Sequence, residues 1–546
     1  MELFNSDNSN FALQNKNWWQ NAVIYQIYPR SFFLAEPEKR NQRLSKSNPY
    51  RSIIHPNDDV SGDLAGITAK LEYLKWLGVN AIWISPIYPS PMADFGYDVS
   101  NYVDIDPLFG TLADLDLLVD SAHKEGIRVV LDWVPNHTSS MHPWFLDAKT
   151  SKTSRYRDFY IWKDKKPDGS LPNNWLSAFL NAPAWTFDEN TEQCYLHLFL
   201  KEQPDLNWNN PEVVEEMDKV LRFYLDRGVD GFRIDVVHCV GKDDLDDTKE
   251  MWSWAPRVVV HESKKSHELI NHWRQLISSY DHSPMIVGEV ALPLVNQIAK
   301  YYGEKDELSL AFMFPLMHSG LSAQAWFNVI KEIETEILSK GNYPSWVLSN
   351  HDVSRHGSRY GMSIERMRLA AILILTLPGT VFLYQGEELG LTDAVVDKDH
   401  KVDPGNRDGE RAPIPWEPEF PHGWNIDKDP WLPFPPNPQM NNVSTELNDT
   451  NSILHLYQNL ISFKQTMLNN DFEFEIFSPL DNDVLQFTLS NENSSFCVLG
   501  NFERNPVSVE NYLNSKVLFS SDPSRDTSLM FSGELNQYEG LILKIN

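Results

Sequence analysis

The chain has 546 residues, of which 42% are hydrophobic and 23% are charged, a composition typical of a globular protein with a large core. Its formal net charge of −29 disfavours nucleic acid and anionic lipid as partners, because both are themselves negatively charged. The longest apolar run, residues 369–384, is interrupted by Pro378 and Gly379 and is too short to span a bilayer. The sequence therefore predicts a protein that binds neither nucleic acid nor membrane.

The cysteines indicate the redox environment. Cys194, Cys239 and Cys497 are odd in number and far apart, which is typical of free thiols in a reducing compartment. Residues 1–10 are polar and acidic and lack the basic start and apolar centre of a signal peptide. These features predict a cytoplasmic location.

Short apolar runs alternate with helical patterns along most of the chain. Near-continuous apolar strands separated by helices indicate a parallel sheet covered by helices, and eight such strands close a (β/α)8 TIM barrel. The predicted strands are residues 22–28, 79–85, 127–133, 231–235, 285–290, 308–314, 345–350 and 380–384. Helical spacing is clearest over residues 64–77, 111–125, 212–226 and 451–465.

Two segments depart from this alternation. Residues 138–207 are rich in Trp, Pro, Asn and Asp, and a stretch of this length predicts an inserted domain after strand three. Residues 468–546 contain short alternating runs that predict an antiparallel β-sandwich. The barrel then comprises residues 1–137 and 208–467.

Polar side chains lie at the carboxyl ends of the fourth, fifth and seventh predicted strands. Asp235, Glu289 and Asp352 stand there, accompanied by His137 after strand three and His351 beside Asp352. The carboxyl ends of barrel strands meet at one face, so these groups are expected in one pocket. Several carboxylates in one cleft separate their pKa values, leaving one as an acid and one as a charged nucleophile. A protonated carboxylic acid beside an ionised carboxylate is the pair of groups that cleaves glycosidic bonds.

Arg233 lies two residues before Asp235 and therefore on the same face of its strand, where it is expected to keep that carboxylate ionised. The alternative is a structural salt bridge at the end of an ordinary α/β strand. A metal site is a second alternative, but His137 and His351 lack a compact ligand spacing such as HExxH. Neutral hydrogen-bond donors to sugar hydroxyls suit these histidines better.

Four motifs follow one another along the chain: DWVPNH at 132–137, GFRID at 231–235, GEV at 288–290 and SNHD at 349–352. In this order and at these spacings they resemble the four sequence regions of the α-amylase family, glycoside hydrolase family 13, and the resemblance extends from Trp18 to Lys544. The resemblance implies a (β/α)8 catalytic domain, a domain B inserted after strand three and a C-terminal β-domain. It also implies that Asp235 is the nucleophile, Glu289 the acid/base and Asp352 the transition-state stabiliser, supported by Arg233, His137 and His351.

Within the family, the motif QPDLNW at 203–208 is similar to that of the α-glucosidase and oligo-1,6-glucosidase group. In that group Asp98 is expected to pair with Arg411 and close the pocket behind Tyr97, whose ring offers an apolar face to a sugar. Phe179, in the inserted segment, is a candidate for the pocket wall. A closed pocket predicts that only a chain end enters.

The residue after the nucleophile is Val236. In related glucosidases valine there tends to accompany α-1,6 activity, whereas the surrounding sequence resembles enzymes of broad α-1,4 preference. One side chain is expected to change the free-energy difference between the two reactions by only about 1–3 kcal/mol. The resemblance therefore implies a general α-glucosidase for maltose-type substrates with some α-1,6 activity.

The resemblance also bears on a structural calcium ion. The group often carries a DxNxDxxxD pattern after strand one, and here Asn57, Asp59 and Asp63 remain while the first position is His55. Loss of one oxygen ligand weakens a site that needs six or more. No cofactor is expected for catalysis itself.

The sequence is compatible with three functions. The first is a retaining hydrolase that releases glucose from a small α-glucoside or oligosaccharide. The second is a transglycosylase or a sucrose or maltose isomerase that uses the same covalent intermediate, and the third is a non-catalytic transporter-associated relative. The intact Asp235, Glu289 and Asp352 and the lack of a membrane segment argue against the third.

Overall fold

A computed structural model describes residues 17–45, 60–179, 182–247, 262–398, 401–426, 429–468, 472–480 and 483–545. In chain order its strands are β1 (Val23–Ile27), β2 (Ala81–Ile84), β3 (Arg128–Trp133), β4 (Trp162–Lys163), β5 (Trp185–Asp188), β6 (Gln193–Leu196), β7 (Gly231–Ile234), β8 (Met285–Gly288), β9 (Leu310–Ala311), β10 (Ser345–Val347), β11 (Thr380–Tyr384), β12 (Glu473–Leu480), β13 (Val484–Ser490), β14 (Ser495–Asn501), β15 (Val507–Ser508), β16 (Lys516–Ser520), β17 (Glu534–Leu535) and β18 (Gly540–Ile545).

The α-helices are named in the same way. They are α1 (Pro37–Ser45), α2 (Leu64–Ala69), α3 (Leu71–Leu77), α4 (Leu112–Lys124), α5 (Pro143–Ala148), α6 (Pro211–Leu225), α7 (Lys264–Ile277), α8 (Val295–Ala299), α9 (Phe314–Met317), α10 (Ala323–Glu336), α11 (His356–Arg359), α12 (Ile364–Thr376), α13 (Val443–Leu447) and α14 (Ile453–Met467).

Eight parallel strands form the central sheet in the order β10-β11-β1-β2-β3-β7-β8-β9. Its two end strands meet through a parallel bridge between Phe312 and Ser345, which closes the sheet into a barrel. Every residue of β1 and β11 is buried, as expected of parallel strands covered on both faces. The predicted (β/α)8 barrel is confirmed.

The helices around the barrel follow local rules. Helix α4 begins with a capping box in which Thr111 and Asp114 bond each other's backbone amides, and it buries Leu115, Leu118 and Val119. The predicted helix over residues 64–77 is instead two helices, α2 and α3, that meet at Lys70. The apolar spacing continues through this break, so the sequence pattern does not reveal it.

The long segment between β3 and β7 contains a three-stranded antiparallel sheet in the order β4-β6-β5. An apolar cluster includes Trp175, Leu196 and Phe199 of this segment together with Val236 and Cys239, which follow barrel strand β7. The inserted segment therefore packs directly on the loop that follows the fourth barrel strand. The division at residues 137/138 and 207/208 stays a prediction.

Beyond α14, five antiparallel strands form a sheet in the order β12-β13-β14-β18-β16, accompanied by the two-stranded ladder β15-β17. A shared core includes Leu499 and Leu541 of the sheet and Val507 and Leu535 of the ladder, so the second layer is thin. On its other side the sheet contacts α12 of the barrel. The boundary at 467/468 also stays a prediction.

Two further expectations concern thiols and membranes. Cys194, Cys239 and Cys497 are all free and buried, so the prediction of unpaired thiols is confirmed. Within the described ranges, no helix has the length and apolar character needed to cross a membrane.

Candidate active site

One arginine joins three carboxylates at the carboxyl ends of β3, β7 and β8. Arg233 Nη1 donates to Asp132 Oδ1 and to Asp235 Oδ1, each at 2.8 Å, and its Nη2 donates to Glu289 Oε2. The side chain of Asp132 is fully enclosed, whereas those of Asp235 and Glu289 are 9% and 14% exposed. The two predicted catalytic carboxylates are therefore the partly exposed members of this cluster, and Asp132 contacts the same arginine from the buried interior.

Burial dominates the electrostatics of this cluster. It raises the pKa of Asp235 well above the ordinary range; Arg233 lowers that pKa, and Glu289 and Asp132 raise it further. Burial likewise raises the pKa of Asp132 to about 6. Arg233 favours the ionised form of Asp235, as expected, but burial outweighs it and the one guanidinium is shared by three carboxylates.

Asp352, after β10, has the opposite behaviour. Burial alone would raise the pKa of Asp352, but His351, Arg407 and Arg411 together lower it below its ordinary value. Arg407 Nη1 and Arg411 Nη2 both donate to Oδ1, at 2.8 and 3.1 Å. With a side chain that is 27% exposed, Asp352 is an ionised group available to a ligand.

His351 and Tyr97 form a stacked pair, with ring centroids 5.4 Å apart and planes 6° from parallel. The Gln26 amide nitrogen lies 2.7 Å from His351 Nδ1, while His351 Nε2 lies 2.5 Å from the Tyr97 hydroxyl and 3.3 Å from Asp352 Oδ2. Burial lowers the pKa of His351 to about 3. The Tyr97 hydroxyl donates to Asp132 Oδ2 at 2.9 Å, which ties this pair to the Arg233 cluster.

His137 lies on the side of the site that faces the inserted segment. Its Nε2 is 3.1 Å from the Tyr97 carbonyl and 3.0 Å from the Gln203 amide nitrogen. The ring packs 5.2 Å from that of Phe199, and burial lowers its pKa to about 4. His137 is thus a neutral polar group, and its role as a donor to sugar hydroxyls stays a prediction.

The predicted pair of Asp98 with Arg411 is not formed. Asp98 is fully buried and accepts hydrogen bonds from Ser90 Oγ at 2.8 Å and from the backbone amides of Ala93 and Asp94 at 3.0 Å. Burial raises its pKa to about 7. This prediction was wrong, because Asp98 holds the loop after β2 together and does not face the arginines.

A different ion pair lies where that pair was expected. Asp94 Oδ1 accepts from Arg407 Nη2 at 2.6 Å, and Asp94 Oδ2 accepts from the Gln203 amide at 3.0 Å. The Phe179 ring centroid lies 4.9 Å from the Arg407 guanidinium, so the predicted wall residue covers this pair. Arg411 instead donates from Nε to the His351 carbonyl at 2.8 Å.

Sequence reasoning missed Asp94 and Arg407. Both stand within four residues of the residues it chose, Asp98 and Arg411, and both are of the right charge. Neighbouring side chains in a loop point in different directions, and no periodicity says which one faces the site. The Asp-x-x-Tyr spacing at 94–97 and the Arg-Asp-Gly run at 407–409 were the available signals.

Val236 has a left-handed backbone, with φ of 36° and ψ of 45°, a conformation that β-branched residues rarely adopt. Its amide donates to Glu289 Oε2 at 3.2 Å, and its side chain belongs to the apolar cluster that includes Trp175 and Phe199 of the inserted segment. The turn therefore places Val236 beside the acid of the site, at the contact with the inserted segment.

Of the three residues that remain of the calcium-binding pattern, the structure describes only Asp63. Asp63 caps α2: its Oδ1 accepts from Gly66 N at 2.8 Å and Ala35 N at 3.3 Å, and its Oδ2 lies 4.0 Å from Arg43. Asn57 and Asp59 lie outside the described residues. In the part of the chain that the structure describes, no group of three or more His, Cys, Asp or Glu side chains could hold a metal. An oxygen already used as a helix cap does not support a calcium site, which stays a prediction.

Comparison with known sequences decides the family. The family described as "Alpha amylase, catalytic domain" matches residues 26–471. The chain belongs to the α-amylase family. It is therefore an enzyme of glycoside hydrolase family 13, as the four ordered motifs predicted.

Individual relatives cover nearly the whole chain. A probable α-glucosidase of Rhizobium meliloti (strain 1021) is 39% identical over 493 residues, which cover 84% of this chain and 85% of that protein. An oligo-1,6-glucosidase of Heyndrickxia coagulans is 36% identical over 567 residues, covering 94% and 97% of the two chains. The crystal structure of the trehalulose synthase MutB from Pseudomonas mesoacidophila MX-45 superimposes with a TM-score of 0.86 at 30% identity, over 97% of this chain and 99% of that one.

The corrected ion pair makes a testable prediction. Asp94→Ala removes one of the three carboxylates that contact Arg407, and loss of a hydrogen bond to a charged group costs about 1–3 kcal/mol. We expect kcat/KM on an α-glucoside to fall by about 10- to 100-fold, with little change in melting temperature. Asp98→Ala should do the reverse, lowering the melting temperature while the folded fraction keeps most of its activity. Equal kinetic losses in the two variants would contradict this assignment.

Proposed function

We propose that the protein is a retaining, exo-acting α-glucosidase that releases α-glucose from the non-reducing end of short α-glucosides. The observation that carries this proposal is the Arg233 cluster, in which Asp235 and Glu289 follow adjacent strands and share one guanidinium. Such closely held carboxylates suit a double displacement, in which they lie about 5–5.5 Å apart. Family membership supports the same reaction class.

In the proposed reaction, Glu289 donates a proton to the glycosidic oxygen while Asp235 attacks the anomeric carbon. The bond to the leaving group breaks, and a covalent glucosyl-enzyme forms through an oxocarbenium-like transition state. Glu289, now ionised, takes a proton from water, and that water releases α-glucose from Asp235. The two steps require one proton on the pair, which Arg233 can accommodate because it contacts both groups.

Asp352 has the third role in this proposal. Arg407 and Arg411 occupy its Oδ1, which leaves Oδ2 to accept hydrogen bonds from sugar hydroxyls beside His351. A fixed carboxylate at this position stabilises positive charge as it develops on the sugar ring. Tyr97, stacked on His351 and close to Arg233, offers an apolar ring to the bound sugar.

Exo action is supported by the pair of Asp94 and Arg407 under Phe179. Arg407 joins Asp94 to Asp352, and we expect these groups to close the space that a continuing sugar chain would need. The substrate is therefore a small α-glucoside or oligosaccharide that enters by its terminal glucose.

Val236 bears on the preference between α-1,4 and α-1,6 linkages. Val236 lies at the mouth beside Glu289, where it contacts the inserted segment. The relatives differ in name, from α-glucosidase to oligo-1,6-glucosidase. We propose a general α-glucosidase for maltose-type substrates with some α-1,6 activity.

Transfer to a second sugar is the alternative outcome of the same intermediate. The structural similarity to a trehalulose synthase supports this alternative. Transferases and hydrolases differ in how readily water reaches the glucosyl-enzyme. A cytoplasmic location remains a further prediction that rests on the three free thiols.

The nucleophile gives the first test. Asp235→Asn should abolish turnover of 4-nitrophenyl α-glucoside while the circular dichroism spectrum stays unchanged, because an amide cannot form the glucosyl-enzyme. Nuclear magnetic resonance of the wild-type reaction should show α-glucose as the initial product. Initial β-glucose, or carboxyl groups about 9 Å apart in a crystal structure, would contradict retention.

The pH profile gives the second test. Because the pKa of Asp235 is raised, the nucleophile gains a proton and activity falls at a higher pH than for a free Asp, whose pKa is about 3.9. The acid limb of kcat/KM, which reports the free enzyme, should therefore lie above that value. An acid limb at or below the ordinary Asp range would show that Arg233 outweighs burial.

The closed pocket gives the third test. Glucose should be the first product from a maltooligosaccharide with a free non-reducing end, and starch should be a poor substrate. The same oligosaccharide with its non-reducing end chemically blocked is the control. Internal cleavage of that blocked substrate would show that the site is an open groove.

Val236 gives the fourth test. Val236→Thr should raise the ratio of maltose to isomaltose hydrolysis by about 10-fold, since a pocket contact of this size shifts selectivity by about 1–3 kcal/mol. The measurement is kcat/KM on both disaccharides. A wild-type enzyme that hydrolyses isomaltose well and ignores maltose would make oligo-1,6-glucosidase the better description.

A further inference from the structure

A buried carboxylate outside the predicted site holds both arginines of Asp352. Asp403 lies in the loop that follows β11, and its side chain is 1% exposed. Its Oδ2 accepts from Arg407 Nε at 2.9 Å, and its Oδ1 accepts from Arg407 Nη2 at 2.7 Å and Arg411 Nη1 at 3.0 Å. The contact with Arg407 is bidentate, the geometry in which an arginine and a carboxylate are most firmly oriented.

The same two arginines meet again on one oxygen of Asp352. Arg407 Nη1 and Arg411 Nη2 donate to Asp352 Oδ1 at 2.8 and 3.1 Å. Asp403 and Asp352 are thus bridged twice, through two rigid planar guanidinium groups. A shift of Asp403 would therefore move Arg407 and Arg411, and both arginines would move Asp352 with them.

Charge makes Asp403 more than a passive neighbour. Without it, two largely buried guanidinium groups would share only Asp352 and Asp94 as ion-pair partners among the described residues. Uncompensated buried charge is costly, so the arginines would be drawn further onto Asp352. That shift would turn its remaining oxygen, Oδ2, away from the position that it holds beside His351.

A purely structural role is the competing explanation. Asp403 Oδ2 also accepts from the backbone amides of Gly405 at 2.8 Å and Arg407 at 2.9 Å, and so it shapes its own loop. Loop stability alone would not make the effect of Asp403 depend on Asp352. This dependence separates the two explanations.

We propose that Asp403 is a positioning residue that sets Arg407 and Arg411 against Asp352 and so orients the stabilising carboxylate of the site. The inference rests on the proposed glycosidase function and extends it to a residue that touches no substrate. It predicts that Asp403 acts on the rate of the chemical step through Asp352.

A double-mutant cycle on 4-nitrophenyl α-glucoside tests this. Asp403→Asn should lower kcat by about 100-fold with KM changed by less than about 3-fold, since small misplacement of a catalytic group has effects of this size. In an Asp352→Asn background the same substitution should cost less than about 3-fold, because the group through which it acts is already disabled. Binding of a cationic iminosugar, measured by calorimetry, should weaken in Asp403→Asn and change little further in the double variant.

Glu410→Gln is the matched control, because it removes a largely buried carboxylate from the same loop and Glu410 makes no ion pair with Arg407 or Arg411 among the described contacts. It should keep kcat within about 3-fold of wild type. If Asp403→Asn does not fold, Asp403→Glu keeps the buried charge but shifts the carboxylate by one methylene, and it enters the same cycle.

The outcomes are distinct. Equal losses on adding the Asp403 substitution to wild type and to Asp352→Asn would overturn the positioning role, as would an Asp403→Asn enzyme with wild-type kcat. Wild-type protein without activity on any α-glucoside would instead overturn the proposed function, and this inference with it.

Discussion

The active-site face depends on one guanidinium shared by three carboxylates. Arg233 rises from β7 with Asp132 on one side, Asp235 above it and Glu289 on the other. Removing the cation would leave these three acidic groups without an ion-pair partner among the residues that the structure describes, a state that proteins avoid by binding protons or by unfolding locally. Because β3, β7 and β8 are parallel neighbours in the sheet, their carboxyl ends meet at one arginine.

A second charge network has the opposite balance. Asp352 is contacted by two guanidinium groups, and its pKa falls below the ordinary value, whereas the pKa of Asp235 rises. Both carboxylates contact arginine, but Asp235 shares Arg233 with two other carboxylates, whereas Asp352 has His351, Arg407 and Arg411 beside it. These neighbours outweigh the burial of Asp352, while Arg233 does not outweigh the burial of Asp235. Separated pKa values of this kind are how a cluster of carboxylates can supply different chemical roles.

The inserted segment completes the site from outside the barrel. Phe179 covers Arg407, Gln203 contacts both Asp94 and His137, and Phe199 packs on His137. Each of these contacts joins a barrel loop to the inserted segment after β3. The polar floor of the site comes from the barrel, and much of its wall comes from the insertion, an arrangement that lets loops change specificity on a constant scaffold.

The sequence by itself determined the barrel, the strand-end carboxylates and the family. Continuous apolar strands alternating with amphipathic helices allow few architectures, and barrel geometry brings Asp235, Glu289 and Asp352 to one face wherever the loops run. Tertiary structure decided the partners. Asp98 and Asp94 are four residues apart in one loop, yet only Asp94 reaches Arg407, while Asp98 bonds its own backbone. Loops lack the periodicity that assigns side chains to faces, and a pKa depends on every charge that packing brings near. For that reason, the sharing of Arg233 and the network around Asp403 became visible only in the folded chain.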